Sequence, residues 1–146
     1  MTDPQPPVPD LRYGLNGALD FEFLEVGPDR VEVRIAVDVV HQQPYGIVHG
    51  GVYCTLIEAA ASTGGAFWAM SQGMPGAVGV SNTTDFLRSV RGGELVAEAT
   101  PLHRGRTQQL WQVVVTRSED GKVAARGQVR LQNLTDTSVV GGLEPV

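Results

Sequence analysis

Val31, Val33, Ile35 and Val37 alternate with Glu32, Arg34 and Ala36. A period of two is the mark of a half-buried strand. Residues 21–26 form a partly alternating strand before it, with Gly27-Pro28-Asp29 as the turn. Residues 39–48 hold Pro44 and Gly46 and read as a loop. From Gly50 the period changes. Val52, Leu56, Ala59, Thr63 and Phe67 fall on one helical stripe, which predicts a long helix from about residue 50 to about residue 70. Gly64-Gly65 weakens its middle but permits close packing against a sheet. The run Ser71-Gln72-Gly73-Met74-Pro75-Gly76 ends it.

Four further strands are predicted at residues 77–87, 94–102, 107–116 and 123–132. His103 to Arg106 turns the second into the third, and Asp120-Gly121 marks a hairpin before the last. The order predicts an α+β fold, with one long helix against an antiparallel sheet of about six strands. A single domain over residues 1–146 is expected, with an extended arm and lead-in at 1–18 and a loose tail at 135–146. One helix covers only part of such a sheet, so edges and apolar surface remain for a partner subunit.

Composition narrows the function. The net charge of -5 argues against a nucleic-acid binder, which needs a basic surface. The single Cys54 excludes an internal disulfide and any multi-cysteine metal site. His41, His49 and His103 lack ligand-like spacing, so neither metal nor cofactor is expected. The first ten residues carry four prolines, no basic start and no apolar core, unlike a secretory signal. No apolar run approaches the ~18 residues that span a bilayer. With the lone cysteine, this gives a cytoplasmic expectation and no membrane partner.

Glu58 is the one charged side chain between Asp38 and Asp85, and its neighbours along the predicted helix are apolar or small. A carboxylate there is costly to ionise, and acid–base or nucleophilic chemistry is a better reason for it than stability. Upstream, Gly50 and Gly51 open the helix, where unpaired N–H groups and a positive dipole suit an oxyanion. Eight residues of helix span ~12 Å, too far for one reacting carbon to meet Glu58 and the Gly50 N–H of the same chain. The two groups would have to come from antiparallel helices of two subunits. Ser62 lies one turn, ~6 Å, beyond Glu58 and can share its site. Cys54 reads as a small buried hydrophobe.

The run Gln43-Pro44-Tyr45-Gly46-Ile47-Val48-His49-Gly50-Gly51, followed by Glu58 and Ser62, resembles the acyl-CoA thioesterases of the hotdog fold. The similar branch holds the 4-hydroxybenzoyl-CoA and 1,4-dihydroxy-2-naphthoyl-CoA thioesterases, which carry a catalytic Glu. The stretch from Pro101 to Gln112 looks like the CoA-contacting hairpin of the naphthoyl-CoA enzymes. The resemblance implies that Glu58 is the catalytic carboxylate, as nucleophile or general base, and that the Gly50 N–H binds the thioester oxygen. It implies that Gln43 and His49 orient substrate or water and that Ser62 supports the carboxylate. Gly79, Arg88, Ser89, His103, Arg104, Gly105, Arg106, Thr107 and Gln108 match CoA-binding positions. Phe86 stands where some naphthoyl-CoA enzymes have His. The expected protein is thus a dimeric or tetrameric hydrolase of an aromatic or bulky acyl-CoA, with sites at the dimer interface. A non-catalytic acyl-CoA-binding protein is the alternative. A hotdog hydratase is disfavoured because its usual His-Phe-Pro-Gly loop is absent.

Overall fold

The computed structural model describes residues 9–136. In chain order the elements are α1 (Leu15–Ala18), β1 (Glu22–Val26), β2 (Val31–Ala36), a 3-10 turn (Val39–His41), α2 (Gly50–Ser71), β3 (Ala77–Phe86), β4 (Glu94–Arg104), β5 (Gln108–Arg117) and β6 (Val123–Asn133). The six strands form one sheet in the order β1-β2-β4-β5-β6-β3, with every neighbouring pair antiparallel. The expected sheet and long helix are therefore both present. The expected arm before residue 9 and most of the tail lie outside the described residues.

Two segments are more ordered than the sequence reading had them. Part of the lead-in folds into the single turn of α1, held by Asn16 Nδ2 donating to Leu11 O at 2.9 Å. The loop before α2 contains the 3-10 turn, whose His41 is 1 % exposed. Asp38 N–H donates to His41 Nδ1 at 2.9 Å, and His41 Nε2 lies 2.6 Å from Leu19 O. With Nδ1 accepting, the ring is the neutral tautomer that donates from Nε2. It ties the lead-in to the loop that precedes the helix.

The core follows from the alternation. Val31, Val33 and Ile35 of β2 turn inward with Leu95, Ala97 and Ala99 of β4, Trp111, Val113 and Val115 of β5, and Val129 and Leu131 of β6. Their outward neighbours are largely polar, which seats the helix on one face only. The twisted sheet covers more of α2 than a single stripe. Val52, Tyr53, Leu56, Ile57, Ala59, Ala60, Ala61, Thr63, Gly64 and Gly65 are all buried. Cys54, Glu58, Ser62 and Ala66, at a spacing of four, stay only half-buried. The helix ends where Gly73, at φ 81°, lets its N–H reach Met70 O while Met74 N–H reaches Ala69 O.

Gly64 shows why the helix tolerates two weak helix formers. A Cβ there would lie 2.6 Å from two ring atoms of Trp111, which is fully buried. Alanine would add about 1 kcal/mol of helix propensity. Overpacking against a ring with nowhere to move costs about 1–3 kcal/mol. Gly64→Ala is therefore expected to lower the midpoint of urea unfolding, although the same change stabilises most exposed helices.

The two sheet edges differ. β1 is short, and Arg30 and Arg34 lace the acidic side chains of β1, β2 and β4 together on the outer surface. Such an edge resists further pairing. β3 is ten residues long and pairs with β6 on one side only. Along and just beyond it, Val78, Val80, Phe86 and Leu87 are 42 %, 54 %, 56 % and 53 % exposed.

Candidate active site

His49 is the N-cap of α2. Its Nδ1 accepts from Gly51 N–H at 2.8 Å, and its carbonyl accepts from Val52 N–H at 2.9 Å. These bonds use the second and third amides of the helix. Among the described residues the Gly50 N–H has no acceptor. The helix thus presents one free amide hydrogen at its positive end, where a developing oxyanion is best stabilised. Because Nδ1 accepts, the His49 proton sits on Nε2, on an exposed ring.

The loop before the helix is shaped by Gln43. Its carbonyl accepts from Gly46 N–H at 2.8 Å, its own N–H donates to Ile47 O at 2.8 Å, and its side-chain Oε1 accepts from Tyr45 N–H. With Oε1 engaged, Nε2 is the end left to meet a ligand. Gln43 and Gly50 both line a cleft of about 280 Å³. Ile47, Val48, Tyr53, Phe86 and Leu87 give it an apolar wall, and Arg88 and Ser89 stand at its polar side. Phe86 stacks on Tyr53 with ring centroids 5.9 Å apart, and its edge lies against Gly50, where a Cβ would be 2.6 Å from Phe86 Cε2. Gly50 leaves room for that ring.

The Tyr53 hydroxyl is buried and has no hydrogen-bond partner among the described residues. Burial pushes its ionisation upward, with Arg117 opposing weakly. A buried hydroxyl without a partner is a net cost, so Tyr53→Phe is expected to raise unfolding stability by about 1 kcal/mol. The unfolded tyrosine ionises near pH ~10 while the folded one keeps its proton, so wild-type stability falls as pH rises through that range. Urea midpoints measured between neutral and alkaline pH should show a shallower fall for Tyr53→Phe.

Glu58 sits two helical turns along α2. Ser62 Oγ donates to its Oε1 at 3.3 Å, and Asn82 Nδ2, from β3, donates to its Oε2 at 3.2 Å. The carboxylate is half-buried rather than sealed among apolar neighbours, because β3 meets the helix here with small and polar residues. Gly79 supplies the space: a Cβ at 79 would overlap the Glu58 carboxylate. The register of β3 against β6 shifts between Gly79 and Ser81, a bulge that re-aims the strand at this point. Gly79 therefore lies at Glu58, two strands across the sheet from the base of the hairpin that shares its CoA-binding expectation.

The hairpin is held from beneath. Gln109 Nε2 donates to Gly65 O at 3.0 Å and to Asn133 Oδ1 at 2.7 Å, and its Oε1 accepts from Trp111 Nε1 at 2.8 Å. Asn133 Nδ2 donates to Gly105 O at 2.9 Å and to Arg106 O at 3.1 Å. His103, Arg106, Thr107 and Gln108 are exposed on its surface. Arg104 is occupied: it donates to Asp29 and to Pro28 O, and its guanidinium lies 5.5 Å from the Trp68 ring centre. No ion pair among the described residues involves Arg88 or Arg106.

The expected site residues thus form three stations along one continuous helix: Gln43, His49, Gly50, Arg88 and Ser89 at its start, Glu58, Ser62 and Gly79 further on, and the hairpin near Gly65. Asn82, Gln109 and Asn133 were missed. For Gln109 a signal existed, since it falls in the inward phase of Trp111, Val113 and Val115. Among the described residues no group of three His, Cys, Asp or Glu could hold a metal ion.

The sequence profile of the thioesterase superfamily matches residues 45–124, from the loop before the helix to the start of β6. A Mycobacterium tuberculosis protein provisionally assigned as an esterase is 47 % identical over 133 residues, covering 90 % of this chain and 94 % of that protein. Its solved structure superposes with a TM-score of 0.80, covering 83 % of this chain and 96 % of that one. The solved thioesterase of Haemophilus influenzae gives a TM-score of 0.75 at 32 % identity, covering 82 % and 81 %. The 1,4-dihydroxy-2-naphthoyl-CoA hydrolase of Escherichia coli is 33 % identical over 99 residues, 68 % of this chain and 71 % of that protein. With its six-stranded sheet around one long helix, the chain has the hotdog fold and belongs to the thioesterase superfamily.

Proposed function

We propose that this protein hydrolyses an acyl-CoA thioester to a free acid and CoA, at composite sites built by two copies of the chain. The observation that carries the reading is the free Gly50 N–H at a cleft, with Glu58 two turns further along the same rigid helix. That separation, ~12 Å, suits one thioester only if the second group comes from another copy. The long unpaired edge of β3 and its exposed Val78, Val80 and Phe86 offer the surface for that copy.

In this reading the thioester oxygen lies against Gly50 N–H, which stabilises the charge that develops when the carbonyl is attacked. Gln43 Nε2 and His49 Nε2 are the donors near that point. Glu58 of the other copy either attacks the carbonyl carbon itself or draws a proton from an attacking water. On the first route the C–S bond breaks, CoA leaves as thiolate, and water then cleaves the acyl-glutamate anhydride. On the second, water supplies the oxygen of the acid directly. Ser62 supports the carboxylate.

The aromatic and branched wall around Gly50 suits an aromatic or bulky acyl group better than a small polar one. The E. coli relative named for an aryl-CoA substrate agrees with that choice. Of the arginines matched to CoA-binding positions, Arg88 and Arg106 make no ion pair among the described residues and are assigned to the CoA phosphates, with Ser89, His103, Gly105, Thr107 and Gln108 in the same role, while Arg104 braces the hairpin. CoA esters and the free thiol of Cys54 both suit the reducing cytoplasm, where we expect this single-domain enzyme to work. No helix among the described residues is long and apolar enough to cross a membrane.

The test is thiol release from benzoyl-, phenylacetyl-, isobutyryl- and hexanoyl-CoA, with Glu58→Gln as the blank. Turnover fastest on the aryl esters and absent from the blank supports the reading. Tight binding of the esters with no thiol release at high protein concentration would replace it with a non-catalytic carrier.

A further inference from the structure

Asn82 lies on the β3 edge and is exposed in the protomer, yet it turns its amide toward the helix rather than to solvent. Its Nδ2 donates to Cys54 O at 3.1 Å and to Glu58 Oε2 at 3.2 Å, using both amide hydrogens. Its Oδ1 accepts from Thr84 Oγ1 at 2.7 Å. The orientation of the amide is chemically determined. A backbone carbonyl can only accept, so the nitrogen must face Cys54, and the Thr84 hydroxyl holds the oxygen on the other side. Cys54 is one turn before Glu58, so one amide grips both the helix backbone and the carboxylate that projects from it.

We infer that Asn82, fixed by Thr84, is the positioning residue of the Glu58 carboxylate. The inference rests on the role proposed for Glu58 and extends it. Ser62 and Asn82 approach different oxygens, Oε1 and Oε2, so together they fix the rotation of the carboxylate plane. Ser62 shares the helix with Glu58 and moves with it. Asn82 comes from the strand and references the carboxylate to β3, the edge along which the second copy is proposed to dock. Gly79 keeps the space in which this alignment occurs. The oxygen that attacks, or that takes a proton from water, would thereby be aimed at the neighbouring copy's Gly50 and not left to rotate. Small misalignments of a reacting group lower rate by up to about 100-fold without loosening substrate binding.

Three variants test this on the ester turned over fastest in the panel. Asn82→Ala removes the donor. Asn82→Asp keeps the size but replaces the donor with a carboxylate that repels Glu58. Thr84→Val keeps the volume but removes the hydrogen bond that holds Asn82 Oδ1, which loosens the amide. The expected result is a fall in kcat of about 10- to 100-fold for Asn82→Ala, a larger fall for Asn82→Asp and a smaller one for Thr84→Val, with KM within about twofold and melting temperatures close to wild type. A merely structural role makes the loss of kcat follow the loss of melting temperature across the three variants. That pattern, or wild-type kcat in all three, overturns the inference. Glu58→Gln separates the two levels: if it keeps its turnover, the role of Glu58 falls and this inference with it; if it is inactive while the Asn82 variants are not impaired, only the inference falls.

Discussion

Glu58→Gln is expected to lower kcat for CoA-thioester hydrolysis by about 1,000-fold or more while leaving the fold intact. The substitution preserves volume, and an amide can still accept from Ser62 Oγ or Asn82 Nδ2, so nothing in the packing of α2 against the sheet changes. What it removes is the negative charge and the basic oxygen. Neither an anhydride nor an activated water can form without them. Substrate affinity should survive, because the cleft at Gly50 and the exposed hairpin do not include the carboxylate. The expected picture is a well-folded variant that binds CoA esters and does not release thiol. A decrease of less than tenfold, measured with freshly purified protein to exclude wild-type carry-over, would remove Glu58 from the chemistry.

The second large effect tests the proposed sharing of the site between two copies. Gly50→Pro deletes the free amide hydrogen at the first helical position, where proline is otherwise well tolerated. His49, at φ -65° and ψ 133°, already has the extended conformation that a following proline demands. The added ring atoms press on Phe86, whose ring must turn aside to admit them. Loss of one oxyanion donor costs about 100- to 1,000-fold in kcat. Each variant alone should therefore be nearly inactive. Co-expressed with Glu58→Gln, however, Gly50→Pro chains should regain activity. A mixed dimer has one site with both defects and one site with neither. With random assortment half of the dimers are mixed, so the expected recovery is about one quarter of wild-type turnover. If Glu58 and Gly50 served the same site from one chain, mixing would restore nothing.

Much of the architecture could be read from residue patterning because it depends on alternation that a single strand displays by itself. The inward set of β2 is visible in Val31, Val33 and Ile35, and the helix start in His49-Gly50-Gly51. The stripe of α2 was less legible. Ala59, Ala60 and Ala61 are consecutive and all buried, because the sheet curls around the helix and small residues suit every side. Periodicity therefore could not say that Cys54, Glu58, Ser62 and Ala66 form the less covered side. Glu58 stood out as a lone charge, but its surroundings depend on a strand that begins about twenty residues later, and nothing local marks Asn82 as its partner. The arginines show the same limit. Arg88, Arg104 and Arg106 look alike in sequence, yet Arg104 is claimed by Asp29, a residue of the distant β1–β2 turn. His41 was noticed only as a histidine without metal-ligand spacing, whereas its work is to bond two backbone groups from separate segments.

The buried amides of Gln109 and Asn133 bear on how a large ligand would load. Through them the tip of the β4–β5 hairpin and the long helix at Gly65 share a set of hydrogen bonds, buried on the Gln109 side and part-buried at the hairpin. Lifting the tip would strip several of these at once, so it has no inexpensive hinge. In the proposed dimer a nucleotide tail would then settle on a finished surface, and the pace of entry and exit would be governed by the ligand's own bending and by movement between the two copies.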